Sequence, residues 1–181
     1  DQRLRDSLDA PGLAIPLPVL QKASRVLKTK QETLCIVARE NGSLRLVDLD
    51  RDRSFSVAMD IGTTNLVATL YDNAAQRDVL TRSLENPQIL FGSDILTRLQ
   101  YAMQGNGEEL YAVLRQGVND LVVLLCRDAG INTEDIHGLA VAGNTVMTHF
   151  FLGLDATTIP VAPFMPLVRT PGFFTATSLD I

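Results

Sequence analysis

The residues whose types and spacing can do chemistry are concentrated in Ala58-Met59-Asp60-Ile61-Gly62-Thr63-Thr64-Asn65-Leu66-Val67. An acid stands at the end of one β-prone run, and a Gly-Thr-Thr turn leads straight into another. A glycine lets the backbone turn with positive φ and lets a phosphate approach its N–H. The Thr63 and Thr64 hydroxyls can donate to phosphate oxygens, and Asp60 can hold the water shell of a Mg²⁺ that neutralises them. On this reading the string is a phosphate clamp on a β-hairpin. It differs from a Walker loop, which needs Gly-x-x-x-x-Gly-Lys leading into a helix, a string that does not occur in the chain. The alternative is a plain hairpin turn whose threonines serve strand propensity.

The elements around the turn follow from periodicity. Ser54 to Asp60 reads as a strand, Asn65 to Tyr71 as a second and Arg77 to Leu84 as a third, joined by turns at Gly62-Thr63-Thr64 and Asp72-Asn73. Three strands in hairpin connection make an antiparallel meander. Ser93 or Asp94 can cap a helix through about Met103. A longer helix from about Glu108 carries Leu110, Leu114, Val118, Leu121 and Leu125 on one face and ends at Gly130. Gly138 to Gly143 is an apolar run that suits a fully buried strand, and Asn144 can cap a helix through about Leu152. The prolines at 160, 163 and 166 exclude a helix interior there.

Residues 1–53 form a smaller α+β unit of their own. Pro16 and Pro18 lead into a helix with Leu17, Leu20, Ala23 or Ser24, and Leu27 at helical spacing. Two β-rich runs then flank Asn41-Gly42, the strongest short hairpin signal, and the charged stretch Asp48 to Arg53 reads as a solvated connector to a second unit over 54–181. The chain starts at Asp1 without a Met and ends at Ile181 with no closing element, which reads as a piece of a longer protein.

Composition narrows the functional classes. Sixteen Lys+Arg against 21 Asp+Glu give a formal charge of −5, with no dense basic run, so a nucleic-acid backbone is not the expected partner. The longest apolar stretch, Leu121 to Cys126, is far short of the roughly 20 residues that cross a bilayer. Cys35 and Cys126, both inside apolar runs, suit reduced core thiols in a cytoplasmic setting rather than a disulfide or metal framework.

Two longer strings carry a resemblance. Asp60-Ile61-Gly62-Thr63-Thr64-Asn65 between two strands resembles the first phosphate motif of the actin, sugar-kinase and heat-shock-chaperone ATPases. The stretch Ser83 to Leu99, with Asn86-Pro87-Gln88, Phe91-Gly92-Ser93-Asp94 and Arg98, resembles a signature of the reductive activators of corrinoid proteins. Val141 to His149, with Leu152-Gly153-Leu154-Asp155 and Ala162-Pro163-Phe164, is similar to a second signature of the same proteins. The implied fold is α/β: a ribonuclease-H-like, actin-like lobe over 54–181, its mixed sheet begun by three antiparallel strands.

The resemblance implies an ATP-dependent activator that returns an inactive Co(II) corrinoid to Co(I) on a partner methyl-transfer protein. Asp60 would then position Mg²⁺, and Gly62, Thr63 and Thr64 would bind the β- and γ-phosphates of Mg-ATP, with this chain holding one half of the site. A two-iron, two-sulfur cluster is expected only in an upstream domain, since the cysteine run that binds it is absent here. Asn144 and Thr145 stand where a strand meets a helix N-terminus and can favour an anion, or Asn144 can simply cap the helix. Asp94 can be a Mg²⁺ or water ligand if Asn86-Pro87-Gln88 folds over the cleft, or an N-cap. Arg98 reads as a surface or carboxylate-paired arginine, His149 as a partly buried structural histidine, and His137 as loop. Two further functions stay open: a partner-docking module, with a homodimer among its forms, and a small-molecule kinase of the same superfamily.

Overall fold

A helix opens where proline costs no hydrogen bond: Pro16 precedes α1 (Leu17–Val26) and Pro18 lies in its first turn, where amides have no intrahelical acceptor. The computed structural model describes residues 6, 10, 12–29, 33, 35–40, 43–50, 53–169 and 171–181. They fall into two units, Asp1–Ser54 and Phe55–Ile181. In the first, α1 accompanies an antiparallel pair, β1 (Cys35–Glu40) and β2 (Ser43–Leu49), and the Asn41-Gly42 tip lies outside the described residues. The inward face of α1 is Val19, Ala23 and Val26, against Leu13, Leu46 and Leu49. Leu17 and Leu27, expected on that face, are 65% and 44% exposed. The branched, smaller side chains fit the contact with a twisted two-stranded ribbon. Lys22 Nζ meets Asp48 Oδ1 at 2.6 Å along its rim.

The second unit is built on one sheet covered on one face. Its strands are β3 (Phe55–Ile61), β4 (Asn65–Asp72), β5 (Arg77–Glu85) and β6 (Ile136–Gly143), in spatial order β5-β4-β3-β6. β3, β4 and β5 pair antiparallel, while β6 joins β3 in parallel, so the sheet is mixed. Period-two alternation puts Val57, Met59, Ile61, Leu66, Ala68 and Leu70 inward. The helices α2 (Ile95–Tyr101), α3 (Gly107–Ala129) and α4 (Thr145–Leu152) carry the matching apolar faces. All five expected stripe residues of α3, Leu110, Leu114, Val118, Leu121 and Leu125, are fully buried, and Gly130 closes the helix in the left-handed region at φ 65°.

The two helices expected from Ser93 or Asp94 and from about Glu108 are both present, joined by a wide turn over Ala102–Asn106 where Gly105 takes φ 94°. One expectation changes. The apolar run of β6 is not fully buried: β6 is an edge strand, mostly exposed from Ala140 to Gly143, and it includes His137. Among the described residues no helix is long and apolar enough to cross a membrane. Cys126 is buried, Cys35 half-buried, and burial pushes both thiols up from their ordinary value.

One close contact sets how α3 seats on the sheet. Gly117 faces the Pro87 ring, and an added Cβ would lie 2.8 Å from Pro87 Cγ and 3.2 Å from Leu66 Cδ1. In an open helix position Gly117→Ala would stabilise by about 1 kcal/mol. Here overpacking costs about 1–3 kcal/mol, so the variant is expected to be less stable. Denaturant unfolding checks this, and a gain in stability would show that the contact is slack.

Candidate functional site

β3 and β6 run parallel, so their carboxyl ends emerge at one edge of the sheet, with Ile61 opposite Gly143. Asp60 lies between Val67 of β4 and Ala142 of β6, and all three are on the exposed face. The turn that follows sits beside the start of α4: Asn144 Nδ2 donates to Thr63 Oγ1 at 3.5 Å. Asp60, Gly62, Thr63, Thr64 and Asn144 are therefore gathered at the same end of the sheet.

Glycine is required at 62 for a reason other than the expected one. Its φ is not positive, and its N–H is committed to Asn65 O at 3.0 Å. An added Cβ would lie 2.6 Å from that same oxygen, so only glycine lets the turn close this tightly. Thr63 is half-buried and Thr64 exposed, leaving the threonine side chains as the polar groups the turn presents outward.

The turn is held from behind by Asn86, which is fully buried. Its Nδ2 donates to Gly62 O at 2.8 Å, its backbone N–H donates to Thr64 O at 2.7 Å, and its Oδ1 accepts from Gln88 N at 3.0 Å. The last bond starts a short 3₁₀ turn over Pro87–Phe91. Gln88, also buried, donates from Nε2 to Leu110 O at 2.9 Å, tying that turn to α3. Asn86-Pro87-Gln88 thus packs beneath the Gly62–Thr64 turn instead of folding over a cleft. Residue pattern alone missed Asn86 as a clamp; the Asn-Pro turn signal marks its local cap, and only the fold brings it to Gly62.

Asp94 caps α2 through both carboxylate oxygens, Oδ1 from Thr97 N at 3.0 Å and Oδ2 from Thr97 Oγ1 at 2.8 Å. Those bonds hold its carboxyl below the ordinary carboxylate range. Asn144 is also a cap, its Oδ1 accepting from Val146 N and Met147 N at 3.0 Å, while its Nδ2 faces the turn. Of the two uses that its position suggested, the oxygen serves the cap, while the nitrogen contacts the Thr63 hydroxyl. Thr145 begins α4 with an exposed side chain, and its carbonyl accepts from His149.

Two other side chains are more buried than their types suggest. His149 is fully buried, with Nδ1 2.7 Å from Thr145 O and Nε2 accepting from Leu167 N at 3.1 Å, which fixes the Nδ1–H tautomer and a structural role. Arg98, expected at the surface or beside a carboxylate, is fully buried. Its Nε donates to Gly92 O at 2.8 Å and its Nη1 to Gln88 Oε1 at 3.2 Å and Met147 Sδ at 3.8 Å. Burial lowers its pKa from the ordinary arginine value, with the Asp94 carboxylate opposing. Ile95, Arg98, Leu99 and Ala102 recur at i, i+3, i+4 and i+7, so the helical stripe places Arg98 inward.

A hard cation needs oxygen donors, and Mg²⁺ needs few from protein when substrate phosphates supply the rest. Among the described residues no group of three His, Cys, Asp or Glu is placed to hold a metal alone. An exposed carboxylate beside two threonine side chains fits a magnesium-phosphate unit. Two cysteines, one in each unit, do not fit an iron-sulfur cluster, which takes four ligands.

The model of one protein family, described as the RACo middle region, matches residues 55–181. The corrinoid activation enzyme RamQ of Eubacterium limosum is 34% identical over 113 residues, which is 61% of this chain and 19% of that protein. A solved structure described as a reductive activator for corrinoid, iron-sulfur protein matches with a TM-score of 0.85 at 28% identity, over 93% of this chain and 28% of that one. The mixed α/β fold is thus shared with that activator, and the chain spans less than a third of the length of either relative.

The clamp and the cap should separate in stability. Asn86→Ala removes two buried side-chain bonds and strands Gly62 O, an expected loss of about 2–3 kcal/mol. Asn144→Ala removes an exposed cap worth about 1 kcal/mol. Equal losses in urea unfolding would show that Asn86 is not what holds the turn.

Proposed function

Because the chain belongs to the RACo middle-region family, we propose that it is part of an ATP-dependent activator that returns a corrinoid protein from Co(II) to Co(I), and that it supplies one wall of the nucleotide site. The lobe over 54–181 is read as the first ribonuclease-H-like half of an actin-like ATPase domain, joined to a small α+β unit over 1–53. The partner is a corrinoid-bearing methyl-transfer protein. The names of the relatives support this direction, one a corrinoid activation enzyme and one a reductive activator for a corrinoid, iron-sulfur protein. An iron-sulfur centre belongs to another part of the full-length protein on this reading.

The observation that carries the nucleotide reading is the state of Asp60. Its exposed carboxylate takes no hydrogen bond or ion pair from any described residue, although it stands one residue before a turn held tightly from behind. A turn that needed the acid for closure would use it.

In this reading Asp60 orients the water shell of Mg²⁺, and Thr63 and Thr64 donate their hydroxyls to phosphate oxygens. Asn144 steadies Thr63 through its Nδ2. Thr145 contributes the first turn of α4, whose amide dipoles favour an anion. Bound Mg-ATP supplies the binding and hydrolysis energy for a conformational change that makes the corrinoid reducible. The residues of this chain contribute position and charge neutralisation, which dominate phosphoryl chemistry. Asp94 keeps its cap.

Calorimetry of Mg-ATP with the full-length protein tests this. Asp60→Asn should weaken Mg-ATP binding by about 10–100-fold, the loss of a charged hydrogen bond to the metal's water shell, while ATP without Mg²⁺ is little affected. Unchanged binding by Asp60→Asn would remove the turn from the nucleotide site and leave a docking role for this lobe.

A further inference from the structure

Arg98 is a cation in the wrong place for a structural residue. It is fully buried, and Nη2 has no hydrogen-bond partner among the described residues. No carboxylate among them lies within ion-pair distance; Asp94, one helical turn before it, spends both oxygens on Thr97. The groups that do touch it, Gly92 O, Gln88 Oε1 and Met147 Sδ, are all neutral. A guanidinium does not shed its proton to escape this, so the lobe buries a positive charge with no hydrogen-bonded counter-ion, the Asp94 carboxylate acting on it only from a distance. Such a charge is costly, and an apolar residue of similar length would pack there without the cost.

The charge lies directly behind the Gly62-Thr63-Thr64 turn. Arg98 Nη1 reaches Met147 Sδ at 3.8 Å, Asn86 Nδ2 reaches the same sulfur at 3.7 Å, and Asn86 Nδ2 donates to Gly62 O at 2.8 Å. One shell of side chains therefore separates the guanidinium from the backbone of the turn. Met147 is a polarizable spacer, not a counter-ion. Its position in the dry interior keeps the field of Arg98 from being screened by solvent or salt.

We infer that Arg98 is the fixed counter-charge for the anion bound at the front of the Gly62–Thr64 turn, acting through Asn86 and Met147 without touching the ligand. The inference rests on the phosphate reading of that turn and adds to it a positioning and electrostatic residue. Free protein carries the cost of the buried cation, and a phosphate group arriving at the turn relieves it. Affinity then depends on the charge at position 98 more than on the hydrogen bonds that its fork makes.

The test uses Mg-ATP calorimetry on full-length protein with three variants, each followed by thermal unfolding. Arg98→Gln removes the charge and should raise Kd about tenfold, the order expected for one unit charge acting through a single layer of protein. Arg98→Lys keeps the charge without the fork and should stay within about threefold of wild type. Gln88→Glu leaves Arg98 in place and puts a carboxylate where Gln88 Oε1 stands, 3.2 Å from Nη1. It should weaken Mg-ATP about as much as Arg98→Gln, although the guanidinium is now paired, and it decides the matter if Arg98→Gln does not fold. A merely structural arginine predicts otherwise: Lys as damaging as Gln, and Gln88→Glu weakening Mg-ATP only in step with the thermal stability it loses with the Nε2 bond to Leu110 O. That pattern, or wild-type affinity in all three, overturns the inference while wild-type binding upholds the nucleotide site. If wild type itself binds no Mg-ATP, the nucleotide reading falls and this assignment falls with it.

Discussion

The buried amide of Asn86 is the bond on which the geometry at the end of the sheet depends. It is donated to Gly62 O at 2.8 Å from the residue that follows β5, while the same residue's backbone N–H holds Thr64 O. A three-residue turn between β3 and β4 could close in several ways. Fixing two of its carbonyls from behind leaves one way, with the threonine side chains pointing outward. Gly62 completes the constraint, since a Cβ there would meet Asn65 O. The cost is a fully buried polar side chain, tolerable only because each of its polar atoms is paired.

From Asn86 the constraint spreads into the core. Oδ1 starts the 3₁₀ turn through Gln88, Gln88 reaches α3 at Leu110 O and Arg98 on α2, and Met147 on α4 packs against both Asn86 and Arg98. A single polar cluster thus joins the turn to the three helices that cover the sheet. Partly satisfied networks are expensive in low dielectric, and fully satisfied ones specify one arrangement. Here the cluster is satisfied except at one guanidinium nitrogen, Nη2 of Arg98.

What the sequence made legible is what repeats locally. The three-strand meander, the stripe of α3 from Leu110 to Leu125 and the left-handed Gly130 follow from periods of 2 and 3.6 and from turn chemistry. The face of α1 was harder, because Leu17 and Leu27 match a helical period yet Val19, Ala23 and Val26 meet the ribbon. In a short helix two overlapping stripes exist, and the partner's shape chooses. The roles of Asn86 and Arg98 were not legible as such. Asn86 works on residues 24 and 61 positions away, and no local pattern records that pairing. Arg98 was hidden by its type: its spacing with Ile95 and Leu99 is a core spacing, and arginine is expected outside.

The two hairpin turns of the sheet make an internal comparison. Between β4 and β5 the acid does the closing: Asp72 Oδ1 accepts from Ala74 N and Ala75 N, both at 2.9 Å. Between β3 and β4 the acid stands one residue further back, with Ile61 between it and the turn, and closure is given to Gly62 and Asn86. A turn selected only to reverse the chain would have no reason to import a buried asparagine from just past another strand and leave its own aspartate outside. The difference lies at the carboxyl ends of the parallel strands β3 and β6, where α/β sheets generally receive ligands. Asp72 lies at the other end and is consumed by structure. Asp60 is spared, which is the condition a metal-orienting carboxylate has to meet.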